Sequence, residues 1–180
     1  LWHGLAEAMP DLLPAGHFAS IFGTVIAGQH PDTGRRYAMV EPQMGGWGAT
    51  SKRAGQNAMF STNHGHTFNC PVEIAEARYG FVVLEKTLSF SPERKGELSG
   101  GAGVRVSYLL RNTAMLSVGY SHANVPVWSI QNASIGGKNR LRVSRSNGTV
   151  ESHHYASDIA LNQGEIVEIE TAFGGCRHAR

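Results

Sequence analysis

Glycine recurs along the whole chain, and the runs between glycines are short and alternate between apolar and polar side chains. There are 22 glycines among 180 residues. Alternation over about four to eight residues, bounded by Gly, Pro, Asn or Ser, is typical of half-buried strands. Such runs occupy residues 20–28, 35–42, 81–90, 103–110, 115–122, 139–145, 148–156 and 165–172. The pattern predicts a mainly β (α+β) fold, a single β-rich domain over residues 1–180 with about eight to ten short strands.

Turn and helix signals complete the predicted fold. Residues 146–148 (Ser-Asn-Gly) are typical of a hairpin turn, and residues 31–34 (Pro-Asp-Thr-Gly) of a second turn. A short amphipathic helix is predicted over residues 2–9, because Pro10 would end it. The N-terminal half therefore contains one or two short helices.

The second predicted helix lies in the middle of the chain. We expect Asn69 or Cys70 to cap it and Pro71 to lie in its first turn. It should end near Arg78, just before Gly80.

Composition and charge exclude several classes of function. Hydrophobic residues make up 41% of the chain, charged residues 17%, and the net charge is only +2. This charge is too small to favour nucleic-acid binding, and the densest basic group, residues 138–145, alternates as the solvated side of a strand would. No apolar run reaches the length of a membrane span. We expect no nucleic-acid partner, no membrane, and large surfaces covered by protein partners.

Two cysteines, Cys70 and Cys176, are too few for a disulfide scaffold and lack the spacing of a zinc ribbon. A reduced, cytoplasmic setting is the expectation that follows. No GxSxG motif occurs, and no pair of carboxylates is distinguished by its spacing. A catalytic role for Cys176 would depend on His178 alone as its base, so we assign no catalytic residue from the sequence.

The segment Asn63–His64–Gly65–His66 is the one that most resembles a chemical site. In an extended chain His64 and His66 would face the same side and could share a metal ion, or an imidazole could act as a base. No Asp or Cys close by completes a coordination sphere, so polar contact with a substrate or partner and a purely structural use are the alternatives. We predict substrate-binding roles for Asn63, His64, His66 and Asn69, and no metal site.

The loop Gly45–Gly46–Trp47–Gly48–Ala49 allows a close approach to its backbone. It lacks the Lys-Ser/Thr ending of a phosphate-binding loop. Three interpretations stay open: a structural turn around Trp47, an anion-binding loop, and a loop near the site or at an interface.

Five motifs occur in a fixed order. They are GGWGA (45–49), KRAGQNA (52–58), TFNCPVEIAEARY (67–79), KGELSGGAGV (95–104) and GEIVEIETAFGG (164–175). In this order they resemble the C-terminal part of the hydantoinase B family. That family includes the B parts of N-methylhydantoinase and 5-oxoprolinase and the related subunits of acetone and acetophenone carboxylases.

The chain departs from the family pattern at three places. Val127 interrupts the Pro–Trp pair formed by Pro126 and Trp128, Ala172–Phe173 replace proline and glycine in the tail, and 61–64 replace a His–Met stretch. The family's N-terminal metal motif, an acidic and histidine-bearing segment, is absent from this sequence. We expect the chain to be a separate C-terminal subunit or a cleaved C-terminal piece of a hydantoinase B-type subunit.

The resemblance implies a subunit of an ATP-dependent multi-subunit enzyme. An A-type partner would bind ATP and phosphorylate the oxygen of the substrate, and the B component would hydrolyse a cyclic amide or carboxylate a ketone. It also implies that this chain alone binds no cofactor, with ATP, Mg and a divalent metal on partner chains, including the N-terminal portion of the B subunit. A non-catalytic assembly role is the third alternative.

Overall fold

The computed structural model describes residues 1–65, 67–90 and 98–178, and within them nine strands form two antiparallel sheets. The strands are β1 Phe22–Gln29, β2 Arg36–Pro42, β3 Phe81–Ser89, β4 Gly103–Leu110, β5 Ala114–Tyr120, β6 Arg140–Ser144, β7 Val150–His153, β8 Ala156–Leu161 and β9 Ile166–Glu170. The helices are α1 Trp2–Ala8 and α2 Val72–Arg78, and a 3-10 turn covers Thr62–His64. The prediction of a mainly β domain with short helices in its N-terminal half is confirmed.

The two sheets bury their facing sides in one core. The strand orders are β2-β1-β5-β8 and β3-β4-β9-β6-β7. Inward-pointing residues of both sheets meet there: Ile26 and Leu116 of the first sheet and Val143 and Ile169 of the second belong to the same buried cluster. Burial of this apolar surface is the main force that holds the sheets together.

Both predicted turns are present. Gly148, with φ +85°, donates its N–H to the carbonyl of Arg145 at 3.0 Å and closes the hairpin between β6 and β7. Gly34, with φ +68°, donates in the same way to His30 at 2.9 Å, between β1 and β2. Positive φ is the reason that glycine occupies these two positions.

The predicted helices are found, but the predicted cap of α2 is wrong. Pro71 is its N-cap residue, and no side chain caps the helix. Asn69 Nδ2 instead donates to the carbonyl of Pro42 at 2.9 Å, and the N–H of Cys70 donates to Glu41 Oε1 at 3.0 Å. Tertiary contacts with the end of β2 have taken the groups that a local cap would use. Among the described residues, neither helix is long and apolar enough to cross a membrane.

Glycines from distant segments pack directly on each other's backbone, and we call this set the glycine layer. Its members are Gly46, Gly48, Gly55, Gly100, Gly101, Gly103, Gly174 and Gly175. A Cβ added to Gly46 would lie 2.0 Å from the carbonyl oxygen of Gly101, and one added to Gly174 would lie 2.1 Å from that of Trp47. Because the obstructing atoms are main-chain atoms, no rotation of a side chain relieves the contact.

Backbone hydrogen bonds outside the sheets tie the layer together. Gly46 donates to Ala172 at 3.0 Å, Gly101 donates to Trp47 at 2.8 Å, and Gly174 donates to Gly101 at 3.0 Å. These bonds satisfy backbone groups that are buried away from water. The layer thus joins the segments at 45–48, 99–103 and 171–175 without using side chains.

The buried side chain of Asn139 fastens the layer to its surroundings. Its Nδ2 donates to the carbonyls of Phe18 at 2.8 Å and Ser121 at 2.7 Å, and its Oδ1 accepts the N–H of Ala172 at 2.7 Å. Three of the four hydrogen-bonding positions of the amide, including both N–H donors, are therefore used in the interior.

We expect Gly46→Ala to lower the free energy of unfolding by about 3 kcal/mol, because a methyl group has no space and the backbone must move. Urea unfolding followed by circular dichroism measures this change. Gly119→Ala in β5 is the matched control, since nothing lies within 4 Å of its Cβ position. The control should stay within about 1 kcal/mol of the parent protein, and equal losses in both variants would contradict the packing argument.

Candidate functional site

A cavity of about 530 Å³ lies beside the N-terminal segment, the 3-10 turn and the loop after β5. We call it the histidine cavity. It is lined by Trp2, Leu12, Leu13, Pro14, Ala15, His17, Ala19, Ser20, Thr62, Asn63, His122 and Trp128. Its size is in the range of small-molecule sites, and its walls are mostly apolar.

Three polar side chains stand out among these walls: His17, Asn63 and His122. None of the described residues that line the cavity carries a carboxylate, an ammonium or a guanidinium group. An apolar pocket with a few polar groups favours a small ligand that is neutral overall and forms directed hydrogen bonds.

His17 is held by the loop that contains Trp47 and Gly48. The N–H of Gly48 donates to His17 Nδ1 at 3.0 Å, and the imidazole stacks on the Trp47 ring with centroids 5.0 Å apart. Trp47 is itself fixed, because its Nε1–H donates to the carbonyl of Phe60 at 2.8 Å. Burial lowers the pKa of His17 below its ordinary value, so the neutral ring is favoured. Because Nδ1 accepts a hydrogen bond, the proton of the neutral ring is on Nε2.

His122 has the opposite tautomer. Its Nδ1 lies 3.1 Å from the carbonyl oxygen of Val125, which can only accept. Nδ1 therefore carries the proton, and Nε2 of the neutral ring is an acceptor. The backbone of His122 has φ +58°, a left-handed conformation that residues other than glycine adopt infrequently. The loop thus holds this imidazole at some cost in strain.

Of the predicted substrate-binding residues that the structure describes, only Asn63 lines this cavity. It lies in the 3-10 turn, and its Nδ2 donates to the carbonyl of Ser20 at 3.3 Å. This bond leaves the amide oxygen Oδ1 as a further acceptor. These three side chains therefore offer an imidazole N–H, an imidazole acceptor and an amide-oxygen acceptor, beside the hydroxyl groups of Ser20 and Thr62 in the same lining.

The other predicted site residues lie elsewhere or outside the described part. His64 does not line the cavity; it is half-buried, and its carbonyl accepts the hydroxyl of Thr67 at 2.7 Å. Asn69 supports the end of β2, and its Oδ1 is buried without a hydrogen-bond partner among the described residues. His66 is not among the described residues. Substrate binding by this set stays a prediction.

The loop 45–49 has parts with different surroundings. Gly45 forms an isolated bridge with Met59, and Gly46 belongs to the glycine layer. Trp47 and Gly48 line a second, smaller cavity of about 130 Å³ that they share with His17. Gly48 also belongs to the glycine layer, so the second half of the loop is structural and adjoins the candidate site as well.

The sequence analysis identified neither His17 nor His122 as a candidate site residue. Both lie in irregular segments, where no periodicity indicates which way a side chain points. The sequence signal that could have indicated them is a neighbouring Gly or Pro, residues that are typical of loops. His17 directly follows Gly16, and His122 lies shortly before Pro126. Within the described ranges, no group of three or more His, Cys, Asp and Glu side chains is arranged to hold a metal ion.

The lowered pKa of His17 predicts a pH dependence of stability. The unfolded chain binds a proton near pH 6.5 and the folded chain resists it, so the free energy of unfolding should fall as the pH drops below about 6.5. Between pH 7.5 and pH 5.5 this single group accounts for at most about 1.4 kcal/mol. Urea titrations at both pH values should show a smaller loss in His17→Asn, which keeps an acceptor for the N–H of Gly48. His154→Asn makes the same change at an exposed position and is the control. If the free energy of unfolding of His17→Asn changed with pH as much as that of the parent protein, the assignment of the effect to His17 would be refuted.

Comparison with known proteins agrees with this fold. The chain is 27% identical over 175 residues to an uncharacterised protein of Methanocaldococcus jannaschii, a match that covers 97% of the chain and 30% of that protein. Among solved structures it resembles an ATP-dependent caprolactamase from Pseudomonas jessenii, with TM-score 0.72, 19% identity, and coverage of 97% of the chain and 31% of that protein. It also resembles acetone carboxylase in a nucleotide-free structure from a study of ATP-dependent acetone carboxylation, with TM-score 0.73, 12% identity, and coverage of 92% and 26%.

These similarities have different weight. At such low identities the two solved structures establish the fold only, and the chain spans less than a third of the length of the relatives it matches. The family model described as hydantoinase B/oxoprolinase, in contrast, matches residues 1–176, almost the entire chain. The chain belongs to the hydantoinase B/oxoprolinase family.

Proposed function

We propose that this chain is the C-terminal portion of a hydantoinase B-type component in an ATP-dependent, cytoplasmic multi-subunit enzyme that hydrolyses a cyclic amide. Its partners are an A-type ATP-binding subunit and the N-terminal portion of the B component. ATP, Mg and a divalent metal are bound by those partners. The family membership and the two solved relatives support this proposal.

We base the choice of substrate on the hydrogen-bond donors and acceptors that line the histidine cavity. Each amide unit of a cyclic amide presents one carbonyl oxygen, an acceptor, and one N–H, a donor. The Nε2–H of His17 is a suitable donor to the oxygen, and His122 Nε2 or Asn63 Oδ1 is a suitable acceptor for the N–H. The apolar walls suit the hydrocarbon part of a small lactam or hydantoin ring.

In this proposal the two imidazoles have different tasks. His17 is kept neutral by burial and polarises the substrate oxygen through Nε2–H. His122 accepts a proton at Nε2 while its Nδ1–H remains bonded to Val125, so it is the candidate base for the attack of water. Activation of the amide by phosphate transfer takes place on the partner subunit.

Carboxylation of a ketone is the second candidate, because the likeness to acetone carboxylase is as close in fold as the likeness to caprolactamase. A ketone carries an oxygen acceptor but no N–H donor. It would use the donor of His17 and leave the acceptors of His122 and Asn63 to water. The inventory of the cavity therefore favours the cyclic amide.

The experiment uses the complex purified from its source through an affinity tag on this chain, with every co-purifying polypeptide identified by intact mass. We expect an ATP-binding subunit and the N-terminal B portion, and ATP hydrolysis that depends on an added cyclic amide, for which caprolactam, hydantoin and 5-oxoproline are the probes. His122→Asn should lower kcat by about a hundredfold, the low end for loss of a general base. His154→Asn should retain full activity.

The outcomes separate the alternatives. ATP turnover with acetone and bicarbonate, and with none of the three amides, would replace the hydrolase by the carboxylase. Full activity of both His122→Asn and His17→Asn in an intact complex would leave this chain an assembly role. A chain that purifies alone, without an ATP-binding partner, would refute the composite enzyme.

A further inference from the structure

A second cavity, of about 610 Å³, lies against the outer face of the β3-β4-β9-β6-β7 sheet and shares no lining residue with the histidine cavity. We call it the basic cleft. Its charged lining residues are Arg105, Lys138, Arg140 and Glu170. Among the residues that the structure describes, three cations and one carboxylate thus line a single concave site.

The single carboxylate among the described lining residues, that of Glu170, is already paired within the sheet. Glu170 lies opposite both Arg105 and Arg140 in the strand register. It accepts Arg105 at 3.2 Å and Ser89 Oγ at 2.9 Å, and Arg140 lies 3.6 Å away. Burial alone would raise the pKa of Glu170, but the hydrogen bond from Ser89 and the pairing with Arg105 lower it on balance, so the group stays ionised. One negative charge is shared by two guanidinium groups.

At the neighbouring position of the same sheet the positive and negative charges are equal in number, so the excess of positive charge is confined to the cleft. There Arg142 pairs with Glu168, one cation with one carboxylate. In the cleft, Arg140 remains 63% exposed and its 3.6 Å contact exceeds hydrogen-bond length, so its donors stay available. Lys138 is exposed, and no described carboxylate pairs with it.

The remainder of the described lining is largely apolar. Phe173 is half-buried, Ala172 is buried, and Phe90, Pro126 and Ile135 add apolar surface. The N–H groups of Gly136 and Gly137, beside Lys138, already donate to Val127 and Phe173. A ligand that fits must therefore combine negatively charged oxygen atoms with an apolar body.

We propose that the basic cleft is a binding site for a small organic oxyanion, a carboxylate or a phosphate monoester, whose charge is bound by Arg140 and Lys138 and whose apolar part lies on Phe173. Guanidinium groups bind such oxyanions through paired hydrogen bonds, and the ammonium group adds a point charge. The site goes beyond the proposed amide hydrolysis, because the neutral histidine cavity does not need it.

Benzoate and phenyl phosphate are the probes, and neutral benzamide is the isosteric control. Binding to the full-length protein that carries this chain is measured by calorimetry. The site of binding is read from the acylation rate of individual lysines by mass spectrometry. We expect saturable binding of benzoate or phenyl phosphate that slows acylation of Lys138 and leaves that of the exposed Lys52 unchanged; the tighter probe identifies the carboxylate or the phosphate ester.

Arg140→Gln should weaken binding about tenfold, as expected for the loss of one charge-assisted contact. Arg36→Gln, at an exposed arginine of the other sheet, is the matched control and should have no effect. Lys138→Gln tests the second cation without changing the ion pairs of Glu170. Absence of Lys138 protection, equal binding of benzamide, or equal effects of Arg140→Gln and Arg36→Gln would each overturn the proposal.

Discussion

Direct packing of main chain on main chain in the glycine layer is the constraint on which the rest of the structure depends. Side chains normally keep backbone segments apart, but here a Cβ on Gly55 would lie 1.8 Å from a carbonyl oxygen and one on Gly101 would lie 1.9 Å from another. At this distance the N–H and C=O groups of three remote segments satisfy one another. The glycine-rich motifs that identify the family are therefore requirements of packing, which explains why none of them reads as a catalytic signature.

The same layer positions the candidate site. Trp47 contacts both the glycine layer and the candidate site. Its carbonyl accepts the N–H of Gly101, and its ring stacks on the imidazole of His17. The next residue, Gly48, packs against Ala15 and donates the hydrogen bond that selects the tautomer of His17. A displacement within the layer therefore changes the direction of a donor in the cavity. Preorganisation of this kind is what an electrostatic role requires, since a donor that must reorient loses most of its effect.

What could be predicted from the sequence follows from the range of each interaction. Eight of the nine strands, the hairpin at Gly148 and the extent of α2 depend on local alternation and turn chemistry, and they were predictable. The strand β8, beyond its first residue, lay in none of the predicted runs. The cap of α2 was not, because Glu41 in β2 takes the N–H of Cys70. His17 and His122 approach one cavity through irregular segments more than a hundred positions apart in the chain, and no local pattern encodes that meeting. Family resemblance identified the packing motifs and could not identify these two residues.

The two cavities differ in charge, and the segment that separates them, residues 126–128, is tightly packed. Pro126 lines the basic cleft, Trp128 lines the histidine cavity, and Val127 between them is completely buried. Val127 exchanges backbone hydrogen bonds with Gly136 and Gly137, at 2.8 and 3.0 Å. A Cβ on Gly136 would lie only 2.6 Å from the Cβ of Val127. Close-packed interiors transmit displacements instead of absorbing them, so the segment that contacts an anion on one side is mechanically continuous with the aromatic wall on the other.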